Sequence, residues 1–212
     1  VVVPLSIAGI FVGTTMAIYE RDLKKMLAFS SIAQIGYITL GIGIATGAGI
    51  AAGFIHIGNH ALIKGGLFMA VGGIFLATGS RVSVMSMTGI GRKMPLTATA
   101  FLICGLSLIG LPLTAGFISK LYLVRALLDN DNLVIVGLVL ASSALSVMYL
   151  WKIVEVMWVR PAPVDALEIN ERPALYIPLW IIAIANIWLG LDASWLVGAA
   201  EAAAASLLGA GG

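Results

Sequence analysis

Charge is what this sequence has least of. Only 10% of its 212 residues are charged, against about 25% in a soluble domain. The polar surface that water requires is therefore missing. Cysteine is nearly absent as well. The single thiol, Cys104, excludes a disulfide framework and any thiolate cluster for zinc or iron–sulfur. The two histidines, His56 and His60, lie four apart on one segment. A transmembrane bis-histidine haem needs ligands from two helices, so haem is excluded. There is no nucleotide loop and no C-x-x-C-H. The net charge of +2 is too small to attract nucleic acid. No metal, no cofactor and no soluble-enzyme chemistry are expected. A secretory leader, with its basic start and small-residue cleavage site, is not visible either. The chain begins at Val1 inside an apolar run and reads as the C-terminal part of a longer protein.

Apolar residues are abundant: 60% of the chain, with a mean hydropathy of +1.07. The solvent for such a surface is lipid. About 30 Å of hydrocarbon needs about 20 helical residues, and runs of that order occupy 3–19, 27–46, 49–78, 95–128, 132–158 and 174–192. The expectation is an all-α transmembrane bundle in the cell membrane.

The fourth run contains Pro112, preceded by Gly110 and followed by Gly116. Proline removes a backbone donor and breaks a helix. The run is either two short crossings or one crossing made of two half-helices. Basic loops decide. Arg21, Lys24 and Lys25, then Arg81, Arg92 and Lys93, then Arg160 and Arg172 share one side only if 95–128 crosses once. Six crossings are predicted, the fourth discontinuous, with the N-terminal edge and the C-terminus outside. Discontinuous membrane helices line cavities, because their freed backbone groups need partners.

An ionisable group at membrane depth costs about 2.5–3.5 kcal/mol on insertion scales. His56, His60 and Lys64 are spaced i, i+4, i+8, which places them on one helix face. Gly65 and Gly66 leave room beside Lys64. Lys120 lies in the second half-helix, with Thr114, Ser119 and Tyr122 as candidate hydrogen-bond partners. Lys24 and Lys25 open the second run. Ser30, Ser31 and Gln34 continue it with polar groups that either extend a hydrated path or bond across helices. Lys152 and Glu155 are expected to pair near a span end, and Arg125 to snorkel.

Three stretches carry a resemblance: DLKKMLAFSSIAQIGYITLGIG, HIGNHALIKGGLF and LSLIGLPLTAGFISK. Together, in this order, they resemble the proton-translocating antiporter-like membrane subunits. That family is shared by Mrp cation/proton antiporters, respiratory complex I and membrane-bound hydrogenases. AQIGYI, NHALIKGGLF, IGRKMP and GLPLTAGFISK are most similar to Mrp D subunits. The resemblance implies a fourteen-helix fold with two inverted five-helix repeats, each with a broken helix. Residues 1–158 would then be the second repeat, and 159–212 a loop, a final transmembrane helix and a tail. It also implies a proton relay through Lys24, His56, His60, Lys64 and Lys120, the last on the broken helix. The implied function is exchange of sodium or potassium for protons in a multisubunit complex. A redox-driven proton pump and a non-transporting scaffold are the alternatives. The expected partners are other membrane subunits, lipid, protons and a monovalent cation.

Overall fold

The computed structural model describes residues 1–79, 82–161 and 171–209. Arg81 and most of the 159–172 loop lie outside the described residues. Apolar runs with little else to do become helices: α1 (Val2–Tyr19), α2 (Leu23–Gly43), α3 (Gly47–Thr78), α4 (Ile90–Lys93), α5 (Pro95–Ile109), α6 (Ala115–Leu128), α7 (Leu133–Val154), α8 (Pro173–Leu191) and α9 (Ser194–Leu207). Starts are set locally. Asp22 Oδ1 accepts the Lys24 and Lys25 N–H groups at 3.0 and 3.2 Å and so caps α2. Thr46 caps α3 through the Gly49 N–H at 3.1 Å. Proline opens α5 and α8, where its missing N–H has no helical partner to lose.

Five helical segments are long and apolar enough to cross a membrane. The protein is a multi-pass membrane protein. The basic loops gather at one end of the bundle. Asp22 bridges to Ser83, the Gly89 N–H donates to the Val156 carbonyl at 3.2 Å, and Glu171 accepts the Leu96 and Thr97 N–H groups at the start of α5. Glu155 pairs with Arg160 at 3.1 Å, not with Lys152. Lys152 donates instead to the Ile18 and Glu20 carbonyls at 3.3 and 2.8 Å. The last carbonyls of α1 have no helical partner of their own, and an ammonium satisfies them.

The fourth crossing is broken as predicted. α5 and α6 are each about 22 Å long, too short to span alone. Gly110 (φ 91°) and Leu113 (φ 71°) turn the chain between them. Gly116 lets the halves close up: a Cβ there would lie 1.8 Å from the Ser107 carbonyl oxygen.

A second break was not expected. The sixth crossing is expected at 174–192, and α8 occupies that range and is long and apolar enough to cross. Beyond it α9 follows in succession along α3. A Cβ on Gly73 would meet Leu175 at 3.9 Å, on Gly66 Ile182 at 3.0 Å, on Gly58 Leu196 at 3.3 Å and on Gly47 Leu208 at 3.6 Å. Helix α8 thus stops part-way along α3, and α9 completes the track. Ile50, Ala51 and Ile55 of α3 bury Ala200 and Ala204 of α9. This packing holds an Ala-rich helix of 14 residues that is too short to be stable alone.

Candidate functional site

The polar residues of α3 face inward. His56, Asn59 and Lys64 are buried, and His60 is half-buried. The two imidazoles stack at 6.4 Å between centroids, 7° from parallel, as a four-residue spacing dictates. Lys64 is 7% exposed. Its Nζ donates to the Leu27 carbonyl at 2.6 Å and to Ser30 Oγ. Both acceptors belong to α2, which supplies one wall of the site. His60 is within electrostatic reach of Lys64, and its buried Nδ1 has no partner among the described residues.

His56 joins three helices. Its Nδ1 lies 2.8 Å from Ser119 Oγ of α6, and its Nε2 lies 3.0 Å from Gln34 Oε1 of α2. Ser119 donates its own proton to the Gly116 carbonyl at 3.2 Å, so it accepts from Nδ1–H. Gln34 Oε1 also accepts, which suits an imidazolium carrying both protons. The Gln34 amide nitrogen is buried without a partner. Turning that amide over presents an N–H to Nε2 and suits the neutral imidazole. One glutamine thus accommodates both charge states of His56.

Lys120, also 7% exposed, reaches back across the helix break. Its Nζ donates to the Leu108 and Ile109 carbonyls at 3.3 and 2.6 Å, the orphaned end of α5. Its expected neighbours are otherwise engaged. Ser119 bonds His56, Thr114 donates to the Leu111 carbonyl at 2.6 Å, and Tyr122 faces Arg125 at 5.9 Å. Tyr37 takes their place. Its ring lies 5.0 Å from Lys120 Nζ and 5.6 Å, edge-on, from His56. Its hydroxyl is 2.6 Å from Ser142 Oγ of α7. The ring therefore stands between the histidine stripe and the lysine. The break itself is held by Asn59, which donates to the Ala115 carbonyl at 2.6 Å, and by Gly116 N–H to Ser107 Oγ at 3.1 Å.

His56, His60, Lys64 and Lys120 come together in one stripe, buried at all but the half-buried His60. Lys24 does not join it by contact: it is exposed and lies 4.8 Å over the Phe75 ring, at the basic end. Ser30 and Gln34 face the stripe as bonding partners, whereas Ser31 bonds back to the Leu27 carbonyl of its own helix at 3.1 Å. Tyr37 and Asn59 went unremarked in the sequence, because an aromatic or an amide in an apolar run resembles core. The signal available was AQIGYI itself, where Tyr37 follows Gln34 by three positions on the same helix face. Neither Lys64 nor Lys120 pairs with a carboxylate among the described residues, and no group of metal-ligating side chains was found there.

Comparison with known proteins places the chain in a family. Residues 1–146 match the family described as NADH:quinone oxidoreductase/Mrp antiporter, transmembrane. The chain is 40% identical over 200 residues to NADH-quinone oxidoreductase subunit N of Desulforudis audaxviator, covering 88% of this chain and 40% of that protein. It is 34% identical to subunit N 1 of Solibacter usitatus, over 95% of this chain and 42% of that one. The chain thus spans about two-fifths of these relatives' length. Among solved structures, it is similar to a chain of the Mrp complex from Dietzia sp. DQ12-45-1b, with TM-score 0.87 and 25% identity over 97% of this chain and 46% of that one. It is also similar to a chain of an archaeal membrane-bound sulfane sulfur reductase, with TM-score 0.83 and 34% identity over 90% and 32%. In respiratory complex I from Thermus thermophilus the match has TM-score 0.69 and 26% identity over 93% and 44%. The chain belongs to the NADH:quinone oxidoreductase/Mrp antiporter transmembrane family.

Proposed function

We propose that this chain is the half-channel of a proton-translocating membrane subunit, in which protons pass along Lys24, Lys64, His60, His56 and Lys120. The observation that carries this reading is the pair of buried ammonium groups without carboxylates. A static structural role would favour an ion pair or an apolar replacement. Lysines held only by carbonyls, a hydroxyl and a ring can release a proton without breaking an ion pair. The partnerless His60 Nδ1 fits a step bridged by water. Charges on His60 and Lys64, and on His56 and Lys120, lie within mutual reach, so occupancy of one site opposes occupancy of the next.

What drives the protons is the finer question. The motifs and the likeness to the Dietzia Mrp complex support exchange of sodium or potassium for protons, in the manner of an Mrp D subunit. The subunit N relatives support a redox-driven pump, and their higher identity favours that second reading. Everted vesicles holding the whole complex separate the two. Proton uptake on adding NADH supports the pump, and dissipation of a pH gradient by sodium or potassium supports exchange. In either case Lys64→Ala and Lys120→Ala abolish the proton signal. An undiminished signal in both variants sinks the relay.

A further inference from the structure

The second break, between α8 and α9, lies at the middle of the bundle. Its level follows from its neighbours. A Cβ on Gly190 would lie 2.4 Å from the Leu113 carbonyl and the Thr114 nitrogen. The next residue of α6, Ala115, is held by Asn59. Asn59 lies about 18 Å along α3 from Gly47. On α2 the same level falls between Ser30, bonded to Lys64, and Gln34, bonded to His56, near the centre of a 21-residue helix. About 30 Å of hydrocarbon centred on α2 and on the α5–α6 break puts Gly190 and Asp192 near the bilayer midplane.

Asp192 is exposed there. Its Oδ1 accepts the Ser194 N–H at 3.0 Å, and no cation among the described residues pairs with it. A carboxylate facing hydrocarbon at that depth is untenable without a partner. Leu111 and Leu113 of the α5–α6 break are also exposed, at 46% and 64%, and give an apolar surface beside Asp192. Tryptophan points the same way. Trp188 and Trp195 are 61% and 63% exposed, and they flank Asp192 at the midplane. Lipid-facing tryptophans gather at membrane–water interfaces, whereas tryptophan is enriched where proteins meet. Trp180, whose Nε1–H donates to the Leu96 carbonyl at 3.2 Å near the basic end, follows the interfacial pattern; these two do not.

We propose that the face formed by Trp188, Asp192 and Trp195, with Leu111 and Leu113, docks a membrane helix of a neighbouring subunit that presents a lysine or arginine to Asp192 at mid-membrane depth. Charge complementarity names the side chain, and the tryptophans supply the apolar rim. The similar solved chains lie in multisubunit membrane complexes. The inference is independent of the proton relay.

The test uses the whole complex. In Asp192→Lys, recovery of neighbouring subunits with this one falls about tenfold, while its own level in the membrane is unchanged. Asp192→Asn, which keeps an acceptor for the Ser194 N–H, loses less. A nitroxide on Leu191→Cys, which is 66% exposed beside Asp192, in a Cys104→Ser background, is immobile and shielded from both oxygen and a water-soluble nickel chelate. Cross-linking from that cysteine reaches a neighbouring subunit. Normal recovery of the Asp192→Lys complex overturns the proposal. So does strong oxygen access, which means lipid, or strong nickel access, which means water. A cross-link confined to the same polypeptide overturns it as well.

Discussion

The two broken crossings differ in what they do with the groups a break sets free. At the α5–α6 break the polar groups at the two helix ends find partners within the chain. Lys120 takes the last carbonyls of α5, Asn59 takes Ala115, and Ser107 takes Gly116 N–H. At the α8–α9 break Asp192 accepts only the Ser194 N–H and faces outward. Both breaks lie at one level and touch through Gly190. A break therefore does not by itself mark a conduction site. It marks a place where polar groups must be supplied, and the supplier decides whether the result is an internal path or an interface.

Substitutions test that difference in order of severity. Gly116→Val places a side chain where 1.8 Å separates a Cβ from the Ser107 carbonyl oxygen. It should cost roughly 3 kcal/mol and lower the thermal midpoint of the purified complex sharply. Gly72→Ala, with nothing within 4 Å, should leave that midpoint unchanged. Asn59→Leu strands the Ala115 carbonyl, for about 1–3 kcal/mol, and releases α6 from α3. The expected reading is a lower midpoint together with a lower transport rate per complex. Asp192→Ala removes the acceptor of the Ser194 N–H and the proposed partner of a neighbouring cation, so it should lower recovery of the complex, yet leave transport per assembled complex within about twofold. Leu113→Gly is the mildest. It relieves a positive φ that costs about 1–2 kcal/mol in an L-residue, but it loosens the unfolded chain by about 0.4–1 kcal/mol. A midpoint equal to wild type or slightly higher is expected. If Asn59→Leu and Asp192→Ala exchange their effects on transport, the distinction between the breaks is wrong.

The sequence exposed the costly features and hid the supporting ones. Lys64 and Lys120 stood out because a charge deep in an apolar run is rare. His56 and His60 shared a face by spacing alone, and Pro112 announced its break chemically. Lys152 was assigned to Glu155 because they are close in sequence. The backbone carbonyls at the end of α1, more than 130 residues away, are invisible to that logic. Helix α9 was missed because its alanines carry little hydrophobic signal, and its stability comes from the α3 surface. The α8–α9 break has no proline, so only the register against α3 reveals it. Tyr37 shows the limit most clearly: its position between His56 and Lys120 depends on three helices meeting.

The central claim, that the buried lysine–histidine stripe carries protons, meets its most direct test in proteoliposomes of the full complex. Initial proton flux is compared among Lys64→Met, Lys120→Met and Lys152→Met. Lys152 serves as control because it too donates to carbonyls but lies at the basic end, away from the stripe. The account predicts loss of flux in the first two and near-normal flux in the third, per assembled complex. Normal flux in both Lys64→Met and Lys120→Met, or equal loss in all three, would contradict it.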